Sequence, residues 1–363
     1  MSLPKPSNPS AETKADHPGP WRLFWRRLKA RKMAMTGGMI LIFLYALALL
    51  AGFVSPYHYE RQDRDRFFHR PTAIRFDGLR PGVPRYQQIA GPFKYEAVAD
   101  DAKPLRFFAR GDKYEFLGLI PTTVHLFGTG DPNYPVYLLG TDQYGRDIFS
   151  RLLYGSQISL SIGLLGITLS FTFGLIIGGI AGYFGGTTDN FIMRVCELIM
   201  SIPGLYLIMS LRAVFPAKLS STQVYALIIV ILAFVRWAAS ARVIRGMALS
   251  LRERQFILAA KSLGQSTWQI LLRHLLPNTF SYVIVAATLS VPYYILGEVV
   301  LSFLNVGIQE PDASWGIMLN QAQNTEYLRQ YPWLLAPGGA IFITVLAFNF
   351  LGDGLRDAVD TKS

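Results

Sequence analysis

Residues 158–184 read ISLSIGLLGITLSFTFGLIIGGIAGYF and contain no charged side chain. An apolar stretch of about 20 residues is long enough to cross a hydrocarbon core about 30 Å thick as a helix. Comparable stretches recur along the chain. We therefore predict an all-α integral membrane protein with six transmembrane helices, at 34–54, 158–184, 191–215, 223–240, 280–304 and 331–352.

The composition agrees with a membrane protein and excludes several other classes. Of the 363 residues, 51% are hydrophobic and 16% are charged, whereas roughly 25% are charged in a soluble domain. The single cysteine, Cys196, excludes a disulfide framework. No Gly-Lys dipeptide occurs, so the phosphate-binding loop of a Walker-type ATPase is missing, and the five histidines form no zinc-hydrolase pattern. We expect no catalytic residue, metal or cofactor in this chain.

The net charge of +11 is concentrated in two blocks. Residues 1–32 and 236–274 each carry a net charge of +6, whereas residues 55–157 carry only +2. Cytoplasmic segments of membrane proteins are enriched in Lys and Arg. We therefore predict that both termini are cytoplasmic and that 55–157 is extracytoplasmic. This distribution indicates membrane orientation and gives no reason to expect nucleic acid as a partner.

These assignments divide the chain into five parts. They are a basic cytoplasmic N-terminal segment (1–33), a first transmembrane helix (34–54), an extracytoplasmic insert (55–157), a core of five transmembrane helices (158–352) and a cytoplasmic tail (353–363). The insert contains many prolines, and hydrophobic residues alternate from Tyr114 to Leu119. Because alternation is typical of strands, we expect a small insert of mixed secondary structure.

Ionisable residues inside predicted spans are candidates for a polar path. Glu197 and Glu298 are the two carboxylates in such positions, and charges at membrane depth are frequently functional. Packing pairs are the alternative interpretation. Arg194 lies three residues before Glu197 and can pair with it on one helix face. Arg212 could similarly be a partner of Glu298.

Two further features predict how the spans are shaped and packed. Pro203 and Gly204 interrupt the third span, and a proline removes a helical amide donor, so we expect a bend there. Small residues recur at helical spacing in the second span, which favours close helix packing over a ligand site; they are Gly174, Gly178, Gly179 and Gly182.

The cytoplasmic loop at 255–278 predicts two helices joined by a turn. Gly264 suits the left-handed position after a helix, and Ser266 with Gln269 forms a capping box for the next helix. We expect Pro277 to interrupt that second helix. Apolar residues recur on one side of the first helix, namely Phe256, Ala259, Ala260 and Leu263. This exposed side predicts a protein docking surface, although a helix lying on lipid headgroups would show the same pattern.

The loop resembles the Glu-Ala-Ala coupling loop of bacterial ABC-transporter permeases. The resemblance rests on Ala259-Ala260, on Gly264 and on the segment His274-Leu275-Leu276-Pro277. Leu258 occupies the Glu position of the motif, and His274 stands where an aliphatic residue is usual. In that family the loop inserts into a cleft of a separate ATPase subunit. The residues that the resemblance implies for coupling are Ala259, Ala260, Lys261, Gly264, His274, Leu276 and Pro277.

Three other segments are similar to the dipeptide/oligopeptide (peptide/nickel) import subfamily, in its C-type subunit. They are LGTDQYGRDIFSRLLYG at 139–155, SFLNVGI at 302–308 with SWG at 314–316, and FNFLGDGLRDA at 348–358. The first contains Gly140, Thr141, Asp142, Gly145, Arg146 and Asp147. Taken alone, these polar residues predict a helix cap with a solvated ion pair; their functional interpretation is a clamp beneath a docked binding protein.

The resemblance implies a transport subunit of the bacterial cytoplasmic (inner) membrane. The chain would form half of the translocation pathway for a peptide or similar solute and would hydrolyse no ATP itself. The implied partners are a second, homologous permease forming a heterodimer, two ABC ATPase subunits that bind ATP-Mg, an extracytoplasmic solute-binding protein and the lipid bilayer. The alternative is a membrane-embedded enzyme with 55–157 as its outer domain, which would be active without an ATPase.

Overall fold

The computed structural model of the protein describes residues 19–77, 80–216 and 219–359. These residues are mostly helical, and their α-helices are α1 (Pro20–Ala30), α2 (Lys32–Leu49), α3 (Ala51–Val54), α4 (Ile148–Phe184), α5 (Gly186–Ser201), α6 (Gly204–Val214), α7 (Ser221–Leu251), α8 (Gln255–Ser262), α9 (Thr267–Ile270), α10 (Leu276–Phe303), α11 (Trp315–Asn320), α12 (Thr325–Gln330) and α13 (Ala336–Val359). A π-helical segment spans Leu271–Leu275, and 3₁₀ segments span Gln321–Gln323 and Pro332–Leu335. The strands are β1 (Arg75–Asp77), β2 (Arg80–Gln88), β3 (Tyr95–Pro104), β4 (Arg106–Phe116) and β5 (Ile120–Gly128).

Five helical stretches of the described chain are long and apolar enough to cross a membrane, and a bent pair could provide a sixth span. The five are Lys32–Leu49, Ile148–Phe184, Ser221–Leu251, Thr267–Phe303 and Pro332–Val359. The bent pair consists of α5 and α6, whose axes differ by 92°. The break falls at Ile202 and Pro203, so the bend predicted in this region is present.

Helices α4, α7 and α13 extend well beyond the predicted spans, and α7 continues from the predicted end at 240 to Leu251. The helix α4 begins at Ile148, so residues 148–157 of the predicted insert are helical. At 1.5 Å per residue, its 37 residues measure about 55 Å, which exceeds the hydrocarbon thickness of about 30 Å. The helix α13 continues to Val359 and includes most of the predicted tail. There Asp357 forms an ion pair with Arg31, at 3.2 Å between Nη2 and Oδ2.

The expected interruption at Pro277 is wrong. The chain remains helical from Thr267 to Phe303. Proline lacks an amide hydrogen and clashes with the carbonyl four residues earlier. Immediately before Pro277 the helix widens into the π-helical segment, in which the amide of Leu276 donates to the carbonyl of Leu271. This local widening takes the place of a break.

Close backbone approach joins α4 to α7. A Cβ atom on Gly178 would lie 2.4 Å from the carbonyl oxygen of Ala241, and one on Gly182 would lie 2.5 Å from Cβ of Ala248. The predicted role of the small residues in close helix packing is therefore confirmed. Around this seam a continuous apolar core joins α2, α4, α7, α10 and α13.

The insert differs from the mixed fold that we expected, because its described residues form strands and loops but no helix between Ser55 and Asp147. Strands β1, β2 and β3 form one antiparallel sheet, and β4 and β5 form a separate hairpin. The buried His125 fixes the hairpin against the end of α3. Its Nδ1 lies 2.6 Å from the carbonyl oxygen of Ser55, and its Nε2 lies 2.9 Å from that of Asp112.

Candidate functional site

The predicted coupling loop has a defined turn between its two helices. Gly264 adopts a φ of +75°, and its amide donates to the carbonyl of Lys261. The amide of Gln265 donates to the carbonyl of Ala260 at 3.1 Å, which completes a Schellman motif at the end of α8. Ser266 and Gln269 then form the predicted capping box at the start of α9. The local signals in the sequence therefore describe this turn correctly.

The helix α8 has one buried and one exposed side. Ile257 and Ala260 face inward and pack with Ile270 and with Tyr183 at the end of α4. The spacing had suggested that Ala260 lies on the docking side together with Ala259. The structure instead buries Ala260 while Ala259 is exposed. The reason is the internal seam with Ile270, which the apolar pattern of α8 alone does not reveal.

The exposed part of the loop carries several apolar side chains among polar ones such as Gln255, Lys261 and Arg273. We name the apolar side chains the coupling surface: Phe256, Leu258, Ala259, Leu263, Trp268 and Leu272, all exposed in the isolated chain. Leu263, at the turn, is 81% exposed. Exposed large apolar side chains grouped on one short loop indicate an interaction site. Leu258 extends the coupling surface at the position where the family motif has a glutamate.

Polar and apolar contacts anchor the coupling surface to the transmembrane helices. The ammonium group of Lys261 lies 5.0 Å from the ring centroid of Tyr183, a cation–π distance. Nε2 of His274 lies 2.8 Å from Oε1 of Gln265, which connects the turn to the following helix. Leu276 is half-buried, while Pro277 is exposed. Beside them, Leu271 and Leu275 pack against Ala248 near the end of α7, as does Leu276.

A second site lies at the other end of α4. We name it the outer ionic cluster: Asp142, Arg146, Arg151 and Glu310. Nε of Arg146 lies 2.7 Å from Oδ2 of Asp142, and the guanidinium of Arg146 also makes a two-point contact with Glu310. Arg151 contacts the same carboxylate at 3.2 Å. Asp142, Arg146 and Arg151 are buried, so the expectation of a solvated ion pair is wrong.

The polar motif before α4 also positions the surrounding backbone. Asp147 caps α4 by accepting from the amide of Ser150 at 2.8 Å. Thr141 accepts from the amide of His69 and donates to the carbonyl of Arg66. Gly140, which has a φ of +78°, sits just before this contact. These bonds attach the beginning of the insert to the N-terminal end of α4.

Burial perturbs two titratable groups near the outer ionic cluster. It raises the pKa of Asp147 from 3.8 to about 7, against the opposing effect of the Ser150 hydrogen bonds. It lowers the pKa of His69 from 6.5 to about 4, although a bond to the carbonyl of Arg70 opposes the shift. The folded chain therefore favours the neutral form of each of these two side chains.

The two candidate pathway carboxylates occupy different environments. Glu298 is fully buried and accepts from the hydroxyls of Ser159 at 2.9 Å and Ser302 at 2.7 Å. Arg212 donates instead to the carbonyl of Val306, so the suggested pair with Glu298 is not formed. Glu197 is exposed on α5 and makes the predicted pair with Arg194 at 3.0 Å.

Sequence reasoning missed three residues of these sites. Glu310 was not singled out because its partners Arg146 and Arg151 are about 160 positions away. Arg151 lies in the 139–155 motif, but its position in the sequence alone indicates no role for it. Ile257 lies between exposed residues of α8. It is three positions before Ala260, and this helical spacing is the signal that could have identified the buried side of α8. In the described part of the chain, no group of three His, Cys, Asp or Glu side chains could hold a metal ion.

Comparison with known proteins gives the family. Residues 174–363 match the family described as "Binding-protein-dependent transport system inner membrane component". The chain belongs to this family. Residues 19–71 also match the "N-terminal TM domain of oligopeptide transport permease C". The loop and the outer ionic cluster are thus parts of an inner-membrane transport permease, and the alternative of a membrane-embedded enzyme is set aside.

Two curated relatives align along nearly the whole chain, and another aligns along about three fifths of it. The "Dipeptide transport system permease protein DppC" of Bacillus subtilis (strain 168) is 34% identical over 93% of this chain and 84% of its own length. The "Glutathione transport system permease protein GsiD" of Pectobacterium atrosepticum is 32% identical over 94% of this chain and 91% of its own length. A "Putative peptide permease protein" of Brucella suis is 41% identical over 62% of this chain and 72% of its own length. Like these permeases, the chain is a transport component whose ATPase is a separate subunit.

Proposed function

We propose that this chain is one of two different permease subunits of an ATP-driven importer for peptides or similar small solutes. The printed names of the relatives support this solute class, because they refer to dipeptide, glutathione and peptide transport. A homologous second permease completes the pathway as a heterodimer. An extracytoplasmic binding protein delivers the solute, and two ABC ATPase subunits bind ATP-Mg and drive the cycle.

The proposed topology has six spans, with the bent pair α5 and α6 counted as one. Both termini and the coupling surface then lie in the cytoplasm, and the β-stranded insert lies outside. The distribution of basic residues supports this orientation, because both strongly basic blocks fall on the cytoplasmic side. The outer ionic cluster then holds the surface beneath the docked binding protein.

The observation that best supports the proposal is the coupling surface. Its apolar side chains lie on a loop whose other face is packed against the ends of α4 and α7. A partner that binds this surface can therefore displace the spans as rigid bodies, without a catalytic group in this chain. Ala259, Lys261, Gly264 and His274 form or support the surface, whereas Ala260 anchors it.

Glu197 and Glu298 are the candidate residues for lining the solute path. Glu197 is already exposed on α5. Glu298 is enclosed by serine hydroxyls in the isolated chain, so it lines the path only in a conformation that separates α4 from α10. If Glu298→Gln transports solute at the wild-type rate, its charge has no role in the path.

Co-purification tests the role of the coupling surface. The tagged chain is isolated from its native membranes in mild detergent, and the retained proteins are identified by mass spectrometry. We expect a second permease and ATPase subunits with the wild type. Leu263→Asp should lower ATPase recovery about tenfold, because a carboxylate must then be buried in the interface. Recovery of the wild-type chain alone would overturn the proposal.

A matched control separates this interface from a general effect of surface charge. Leu119 is 83% exposed in the insert, almost the same fraction as Leu263. We expect Leu119→Asp to retain the ATPase subunits at the wild-type level. Equal loss in both variants would argue against a specific coupling surface. Uptake of labelled dipeptides and glutathione by vesicles containing the intact complex then tests the solute class.

A further inference from the structure

The helix α1 is separate from the first span and packs against the end of the last helix. Arg31, in an extended conformation, separates α1 from α2. Phe24 and Leu28 of α1 pack against Leu355 and Ala358 of α13. Because α2 begins directly after Arg31, α1 lies where the chain enters the membrane. The contacts with α13 hold it at that level.

Two tryptophans of α1 are exposed. Trp21 is 70% exposed and Trp25 is 51% exposed. They are one helical turn apart and therefore share a face. Both rings make edge contacts with Phe24, with centroids 5.8 Å apart in each case. Exposed tryptophans at the end of a span are typical of the region between lipid headgroups and acyl chains.

Three exposed cations form a row along α1, beside the two tryptophans. Arg22, Arg26 and Lys29 are exposed and recur at intervals of four and three residues, so they lie on one side of the helix. Residues 19–33 contain six Lys and Arg but no Asp or Glu. Arg31 is paired with Asp357 and belongs to the contact with α13 instead. Arg22 and Arg26 each follow one of the two tryptophans directly in sequence, so these cations and rings lie at the same level along the helix axis.

We infer that α1 lies in the membrane interface and binds the headgroups of anionic phospholipids through Arg22, Arg26 and Lys29. Trp21 and Trp25 insert beside these headgroups, while Phe24 and Leu28 remain on α13. The charge of the row selects an anionic ligand over a zwitterionic one. The proposal requires only that α2 spans a membrane, and it does not depend on the transported solute or on the ATPase.

The binding site also places the lipid beside a helix of the permease core. A lipid that holds α1 in the interface also holds the last turns of α13, because Leu355 and Ala358 are covered by α1. The packing on α13 consists of apolar contacts of α1 and the ion pair of Arg31 with Asp357, so substitution of the three cations of the row leaves it intact. Lipid selectivity can therefore be changed without removing the packing.

Fluorescence quenching by brominated lipids tests the inference on the full chain. The chain is reconstituted in nanodiscs of phosphatidylcholine and phosphatidylglycerol in equal parts, with only one of the two lipids brominated in each sample. The signal of Trp21 and Trp25 is the difference between the wild type and Trp21→Phe/Trp25→Phe, because the chain has six tryptophans. We expect brominated phosphatidylglycerol to quench this signal about twofold more than brominated phosphatidylcholine.

Variants distinguish charge recognition from non-specific effects. Arg22→Gln/Arg26→Gln/Lys29→Gln should bring the quenching ratio to about one, and Arg22→Lys/Arg26→Lys should retain the preference. A control with the same loss of charge in the insert, Arg64→Gln/Arg75→Gln/Arg106→Gln, should also retain it. Increasing salt should lower the ratio in the wild type. Equal quenching by the two lipids in the wild type, or no quenching by either, would overturn the inference.

Discussion

Arg146 and Glu310, 164 positions apart in sequence, are joined by a two-point contact between guanidinium and carboxylate. The contact ties the segment before α4 to the loop after α10. Because Arg151 approaches the same carboxylate, a single acidic side chain serves two cations that are almost completely buried.

Removal of the Glu310 charge should destabilise the chain. Glu310→Gln leaves Arg151 without a carboxylate partner and Arg146 with Asp142 alone, and unpaired buried charges are costly. Because Glu310 itself is partly exposed, we expect a loss of about 2 kcal/mol in the free energy of unfolding. Thermal unfolding in detergent measures the change. Glu115→Gln, at an exposed position of the insert, should have almost no effect; equal effects would mean that the contact is not stabilising.

Asp147 should make stability depend on pH. Burial raises its pKa to about 7, so the folded chain binds more protons than the unfolded chain between about pH 4 and pH 7. The contribution of Asp147 to stability therefore falls as the pH rises through this window. Asp147→Asn has no such titration, and we expect it to gain stability relative to the wild type as the pH rises from 5 to 8.

The melting temperatures of the wild type and of Asp147→Asn, measured from pH 5 to pH 8, test this prediction. His69 has the opposite effect, because its pKa is lowered to about 4 and the folded chain loses stability as the pH falls below about 6.5. Both chains contain His69, so its contribution cancels in their difference. Parallel melting curves against pH would contradict the prediction for Asp147.

Two glycines with nearly the same backbone conformation should respond differently to alanine. Gly145 has a φ of +72° and Gly264 a φ of +75°. A Cβ atom on Gly145 would lie 1.9 Å from the carbonyl oxygen of Asp63, whereas one on Gly264 would meet nothing within 4 Å. Gly264→Ala should cost about 1 kcal/mol for the backbone. Gly145→Ala should cost about 1–3 kcal/mol more because of the clash; equal losses in thermal unfolding would refute this.

Glu298→Gln should destabilise the chain more than Glu197→Gln. The serine hydroxyls that donate to Glu298 also accept from the amides of Trp315 and Ile308, so an amide nitrogen in place of one carboxylate oxygen leaves a hydroxyl without its acceptor. We expect a loss of about 1–3 kcal/mol at this buried position. At Glu197 only an exposed pair is lost, and we expect a loss below about 0.5 kcal/mol. Thermal unfolding of both variants checks the order.

Local signals in the sequence predicted the features that depend on neighbouring residues. The left-handed Gly264, the capping box of Ser266 and Gln269, and the bend near Pro203 each arise within one or two turns of chain. The apolar spans were equally recognisable, because membrane insertion requires long apolar stretches.

Contacts between distant segments were not predictable in this way. The charge pattern could not associate Glu310 with Arg146, and the apolar pattern of α8 could not show that Ile270 covers Ala260. At Pro277 the local rule failed because the preceding turn widened. These outcomes depend on what the rest of the chain places beside each residue.

The length of α4 has a mechanical consequence. Its first turn is capped by Asp147 and includes Arg151, and its last turn presents Tyr183 to Lys261 and to the buried side of α8. A helix without a break keeps its length and moves as a rigid body, so its two ends must move together. Any tilt imposed at Arg151 must therefore appear as a displacement of Tyr183, with no side-chain relay between them.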